Sequence, residues 1–409
     1  MKPQEARALS RLTSQVLAGT VAHVEQVHTA VARRTFGLTP AGAPVQTVHN
    51  AIAGGVYGSL RGAVLAAGSA AGGVVGLLPR PAARPIGSRP RANVALGALN
   101  AAIGDRLGSE NSALAIRMSL RSDGCDVPAE SAALAAAYPD AGGKLAIFLH
   151  GLGETEQAWR LRAEQHYGDS TVTYGSRLRD ELGFTPVYVR YNTGLHVSDN
   201  GRRLAGLLTD VTDAWPAAVE EVVIVAHSMG GLVARSACHY GAETHEPWVP
   251  AVRDVFYLGA PHLGAPLERF VGFVGWTLSK SGDTRPWAEL VNGRSAGIKD
   301  LRFGYLLDDD WRDCDPDTCR EDHRHDVPLL PTANHYVISA TITTDPDHPF
   351  GQIVGDLLVQ PASAHGRHRR GRHITFDVDN NRYRLGGSHH FDLLNHPAIY
   401  DVMRARLER

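Results

Sequence analysis

The stretch Val222-Val223-Ile224-Val225-Ala226-His227-Ser228-Met229-Gly230-Gly231-Leu232-Val233-Ala234-Arg235 decides how the rest of the chain is read. Its first five residues are apolar and mostly β-branched, which suits a strand buried on both faces of a parallel sheet. From Leu232 to Cys238 the composition turns helical. Strand, sharp turn and helix therefore follow one another, with Ser228 at the tip of the turn. Such a turn lifts a serine hydroxyl above the sheet, and its flanks must be small because the helix backbone crosses close to the strand.

Outward from this point the same alternation recurs. Short apolar runs at Lys144 to Leu149, Val187 to Tyr191, Val255 to Leu258 and Tyr336 to Ile342 predict further parallel strands. The second run starts at Val187 because Pro186 has no N–H to give a ladder. Leu204, Leu207, Leu208 and Val211 mark one face of a crossover helix that Asn200-Gly201 introduces. Ala92 to Leu107 reads as helix and Ala113 to Leu120 as strand. The fold class expected is α/β, a mostly parallel sheet flanked by helices.

With strand and helix in place around it, Ala-His-Ser-Met-Gly-Gly-Leu-Val-Ala-Arg (226–235) resembles the nucleophile elbow of the α/β-hydrolases, and more narrowly that of lipases and the GPI inositol-deacylase-like hydrolases. Ala226 stands where the usual pattern has Gly. The resemblance spans about Leu145 to Leu407 and implies a serine esterase or lipase with Ser228 as nucleophile. His150-Gly151-Leu152-Gly153, after the first strand, is similar to a lipase oxyanion loop and implies that the N–H groups of Leu152 and Met229 form the oxyanion hole. His390, in Gly-Gly-Ser-His-His-Phe-Asp-Leu-Leu (386–394), matches the family's base, and His389 is the alternative. Asp356 matches the acid through Gly355-Asp356-Leu357-Leu358-Val359, which resembles an Asp-Gly-x-Val segment with Leu357 in place of Gly. Asp345 and Asp347, directly after a strand, are the alternative acids. His262, in Pro261-His262-Leu263-Gly264, is read as structural or pocket-lining.

Composition narrows the function classes. The chain has 409 residues, 41 basic against 43 acidic, and a formal charge of -2, so no charge excess points to nucleic acid. Four Cys exclude a disulfide framework, although Cys314 and Cys319 are spaced to close one small bridge. No cofactor is expected. The basic run His365 to His373 lacks Cys or carboxylate ligands at regular spacing and is read as a solvated loop rather than a metal site. The first residues lack an apolar signal core, so a cytoplasmic location is the expectation.

Three regions are expected: an N-terminal helical, Gly-rich region (1–78), a Pro/Arg linker (79–91) and an α/β-hydrolase domain (92–409) with a cap insertion at about 265–332. Glu5 to Arg34 has helical periodicity. In 51–78, Gly54, Gly58 and Gly62, then Gly68, Gly72 and Gly76, recur at every fourth position, a spacing that lets helices approach closely and leaves peripheral membrane or lipid-surface contact open. Phe270, Phe273, Trp276, Trp287 and Trp311 in the insertion suggest a hydrophobic acyl chain, with ordinary cap packing the equal alternative. The expected partner is a small-molecule ester or lipid. Acyl transfer by the same triad, and a non-catalytic scaffold on a membrane or lipid granule, are the other readings.

Overall fold

A computed structural model describes residues 2–15, 90–266, 294–313, 322–367, 373–377 and 380–408, with positions 18, 54, 58–59, 61–62 and 65. The linker before residue 90, most of the Gly-rich region, the Cys314 and Cys319 pair and the aromatic residues Phe270 to Trp287 lie outside the described residues.

Helix α1 (Pro90–Ser109) leads into a hairpin of β1 (Ser119–Ser122) and β2 (Cys125–Val127). There follow β3 (Lys144–Leu149), α2 (Tyr174–Leu182), β4 (Thr185–Arg190), α3 (Val197–Ala214), β5 (Glu221–His227), α4 (Met229–Glu243), β6 (Val252–Leu258), β7 (Asn334–Ala340), β8 (Arg382–Leu385) and α5 (Pro397–Leu407). The strands form one sheet in the order β2-β1-β4-β3-β5-β6-β7-β8. All pairings from β4 to β8 are parallel, and only β1 runs against its neighbours. This is the expected mostly parallel sheet, and its carboxyl ends lie along one edge where ligand sites of such sheets form.

The apolar runs were legible because both faces of each central strand are covered. Along β3, Leu145, Ile147 and Leu149 face a core shared with α1, α3 and α4, whereas Ala146 and Phe148 face a second core shared with α2 and α5. In β5, Val222, Ile224 and Ala226 again join the first core, and Val223 and Val225 the second. Period-two alternation thus persists, but between two apolar environments. Truncating Phe148, fully buried and edge-on to Trp159 at 4.9 Å, should cost about 3 to 5 kcal/mol.

Some expectations need correction. β1 begins at Ser119 rather than Ala113, because Asn100 takes up the preceding backbone by bonding the Leu114 carbonyl and the Ile116 N–H. β4 includes Pro186, which pairs with Ala146 on β3; on the other side β1 pairs only with residues 188–190, so no ladder there needs the missing N–H. Asn200 and Gly201 do not start α3 but lie buried within it. A Cβ on Gly201 would come within 2.1 Å of Ser236 Oγ, so the glycine serves the close packing of α3 on α4. Near the site, Gly194 does the same for α1: a Cβ there would meet the Asn100 carbonyl at 2.1 Å.

Residues 3–15 are helical, and Leu12 joins the first core beside α1. Among the described residues no helix is long and apolar enough to cross a membrane.

Candidate active site

β5 ends and α4 begins on either side of Ser228, which adopts φ 53° and ψ -123°. A non-glycine residue at positive φ costs on the order of 1 to 3 kcal/mol, and persists only where its surroundings fix it. Here the Ser228 N–H donates to the Leu258 carbonyl at 2.8 Å, and its carbonyl accepts from Gly231 at 2.9 Å. The two glycines are required by contact. A Cβ at Gly230 would lie 2.6 Å from the Leu149 carbonyl oxygen, and one at Gly231 would lie 2.4 Å from Ala260 Cβ.

The loop after β3 runs alongside. A Cβ at Gly151 would meet Ser228 Cβ at 2.9 Å, so this loop touches the serine. Its amides are divided in use: Gly151 N–H donates to Glu154 Oε2 at 2.6 Å and Gly153 N–H to Thr193 Oγ1 at 3.2 Å. Among the described residues the Leu152 and Met229 N–H groups have no partner. His150 is locked as a neutral ring, accepting from the Tyr191 N–H at Nε2 and facing the Gly151 carbonyl through Nδ1. Burial pushes its pKa down.

From the other side comes the loop after β8. His390 is buried, and its Nδ1 lies 2.7 Å from Asp356 Oδ2. Its N–H also donates to the Asp356 carbonyl at 3.1 Å, so backbone and side chain of the two residues are tied together. The second carboxylate oxygen of Asp356 accepts from Leu358 and Val359 at 3.0 and 2.7 Å. His390 Nε2 is buried and has no hydrogen-bond partner. Gly259 makes room for the ring: a Cβ there would stand 3.0 Å from His390 Cε1.

Elsewhere the candidates separate. Asp345 is exposed and accepts from the Asp347 N–H at 2.9 Å, and Asp347 pairs with Arg384. His389 is about half exposed and pairs with Asp392 in its own turn. None of these three approaches His390 Nδ1. Trp311 stacks on His196 with ring centroids 3.6 Å apart and donates to Ser198 Oγ at 3.0 Å, so it packs on the start of α3. In the His-rich run, His365 is not solvated as expected. It is buried against Ser339 Oγ at 2.9 Å, and burial lowers its pKa to about 3.

One pair escaped the sequence reading. His227, inside the elbow, has Nδ1 3.0 Å from Glu154 Oε1 and Nε2 3.3 Å from the His390 carbonyl oxygen. Both ring nitrogens face acceptors, which is the pattern of an imidazolium. Burial disfavours that charge, but the Glu154 carboxylate outweighs it and holds the His227 pKa above its ordinary value. Glu154 is correspondingly held low against the same burial, chiefly by His227. Glu154 thereby joins the Gly151 amide to His227, and His227 joins both to the backbone of His390.

Residues 141–317, a little under half of the chain, match the family model described as PGAP1-like alpha/beta domain. The fold is that of an α/β-hydrolase. Solved structures similar to it include a lipase-esterase related protein from Clostridium acetobutylicum, 12% identical over 65% of this chain and 95% of that one, with a TM-score of 0.33. A Pyrococcus furiosus esterase is 12% identical over 66% of this chain and 82% of its own, at a TM-score of 0.36. A Legionella pneumophila phospholipase is 14% identical over 66% and 60%, at 0.37. No curated protein matches significantly.

Proposed function

We propose that this chain is a serine-dependent carboxylic ester hydrolase, with Ser228 as nucleophile, His390 as base and Asp356 as the carboxylate that orients it. The observation carrying this reading is the buried 2.7 Å contact of His390 with Asp356, which leaves Nε2 without a partner, taken together with an elbow serine held at positive φ.

A serine hydroxyl is a weak nucleophile near neutral pH and needs a base in reach. In the proposed reaction His390 Nε2 takes the Ser228 proton as Oγ attacks the ester carbonyl. The carbonyl π electrons move to oxygen, and the Leu152 and Met229 amides stabilise that charge, each such donor being worth about 3 to 4 kcal/mol. Collapse breaks the ester C–O bond, and His390 returns the proton to the departing alkoxide. Water repeats the sequence on the acyl-serine: His390 takes its proton, a second tetrahedral adduct forms and collapses, Ser228 regains the proton, and a carboxylic acid leaves. Asp356 holds the ring with Nδ1–H inward and Nε2 basic. The Glu154–His227 pair acts as a positioning device between the oxyanion loop and the His390 backbone.

A lipid-like acyl group is the finer part of the proposal, and it rests on the aromatic residues Phe270, Phe273, Trp276, Trp287 and Trp311 of the insertion, of which the first four lie outside the described residues. Hydrolysis of p-nitrophenyl esters from about two to sixteen carbons by wild type and Ser228→Ala tests both parts. Activity lost on the substitution, with an optimum at long chains, is the expected result. A wild type inactive on every chain length and unlabelled by a fluorophosphonate would overturn the reading.

A further inference from the structure

Arg235, two helical turns beyond Ser228 on α4, is 5% exposed. Its Nη2 donates to the Val327 carbonyl at 2.9 Å, but its Nε has no partner, and among the described residues no carboxylate forms an ion pair with it. Buried charges are ordinarily paired, because an uncompensated one costs several kcal/mol. The nearby carboxylate of Asp310 is already occupied, accepting from Leu306 and Leu307 through Oδ2 and from His325 through Oδ1. A guanidinium cannot escape the cost by losing its proton.

Arg235 lines a cavity of about 330 Å³ together with His262, Arg324, His325, His373 and, as the one acid among the described residues, Asp326. His262 is 1% exposed, and neither of its ring nitrogens has a partner. Burial and then the charge of Arg235 hold its pKa well below the ordinary value, so the ring is neutral and offers one N–H and one lone pair. Arg324 reaches the cavity from an ion pair with Asp322 and donates to the His262 carbonyl at 3.2 Å. Two buried polar side chains with unused nitrogens thus line one cavity of predominantly basic character. Ser228, Met229, Asp356 and His390 are not among its lining residues.

We propose that this cavity is a binding site for a small oxyanion, a carboxylate or a phosphate group, with Arg235 and His262 as its buried donors and Arg324 at its rim. An oxyanion accepts hydrogen bonds in the plane of a guanidinium and cancels the buried charge, which neither water nor chloride does as well. The site is independent of the ester chemistry, so its failure and that of the hydrolase reading are separable.

The test is thermal unfolding and titration calorimetry of the full chain with inorganic phosphate and with acetate, against sodium chloride of matched ionic strength. A saturable rise in Tm with one oxyanion but not with chloride is expected, retained in Ser228→Ala and lost in Arg235→Gln. The anion that acts tells phosphate from carboxylate. If Arg235→Gln does not fold, Arg324→Gln and His262→Gln decide, each weakening binding about tenfold. Equal responses to phosphate, acetate and chloride, or unchanged binding in all the variants that fold, would overturn the site.

Discussion

Two carboxylate–histidine pairs lie side by side at the elbow, with ring centroids 4.7 Å apart, and they differ in what each leaves unused. In the Asp356–His390 pair one ring nitrogen is engaged and Nε2 has no partner. In the Glu154–His227 pair both nitrogens are engaged, one by a carboxylate and one by a carbonyl. A ring with both nitrogens committed to acceptors has no lone pair with which to take a proton, however close it lies to a serine. Burial is nearly the same for the two. The free lone pair, not the carboxylate neighbour, is what marks a base.

The comparison breaks most directly at His390. His390→Ala should lower kcat by about 10⁴-fold or more, and Asp356→Asn by about 10⁴-fold, measured on an ester that wild type hydrolyses. Replacing His227 or Glu154 should cost far less. A loss in His227→Gln as large as in His390→Ala would exchange the roles assigned to the two rings.

Glu154→Gln sharpens the contrast at the next scale. Removing one partner of a buried ion pair costs about 3 kcal/mol or more, so Tm should fall clearly, with kcat reduced about 10- to 100-fold through displacement of the loops. The pH dependence carries a sign. His227 is raised above 6.5, so its share of the stability is complete below 6.5 and is lost as pH rises through the higher folded value. Glu154 is lowered below 4.5, so its share is complete above 4.5 and is lost as pH falls through the lower folded value. The deficit of Glu154→Gln relative to wild type should therefore be greatest between about pH 4.5 and 6.5 and shrink on the alkaline side. A deficit that instead grows steadily above pH 7 in thermal unfolding would contradict an imidazolium at His227.

What the sequence disclosed, and what it hid, follows the same line. Ser228 stood out because strand, turn and helix are contiguous there, and Asp356 and His390 because each sits in a local pattern that resembles a known one. The Glu154–His227 contact joins residues 73 positions apart and is created by sheet register: Leu149 pairs with Ala226, so the loops following β3 and β5 emerge side by side. No local pattern encodes that. Asn200-Gly201 misled for the opposite reason, since turn chemistry and close helix packing select the same small residues. Arg235 belongs to the 226–235 motif, yet its lack of a carboxylate partner among the described residues is a property only of the folded interior.

His389 tests the contrast at the level of chain neighbours. It too sits against a carboxylate, Asp392, but its side chain is 53% exposed, and exposed pairs of this kind contribute about 0 to 1 kcal/mol. His389→Ala should leave kcat within about twofold of wild type and Tm almost unchanged. A large loss would move the base to this residue.

A small gain in stability, with no change in kcat, is expected at the turn that presents the proposed acid. Leu357 follows Asp356 at φ 83° and is half exposed, whereas the segment it resembles has glycine there. Ser228 also holds a positive φ, but inside a buried elbow whose hydrogen bonds fix it. At Leu357 little side-chain packing opposes relaxation, and the left-handed conformation costs a non-glycine residue about 1 to 2 kcal/mol. Glycine relieves that strain but enlarges the freedom of the unfolded chain, returning about 0.4 to 1 kcal/mol. Leu357→Gly should therefore raise Tm by about 1 to 2 °C with kcat unchanged, read by calorimetry and ester hydrolysis together. A fall in Tm would mean that the half-buried leucine side chain contributes more to the turn than its backbone strain takes away.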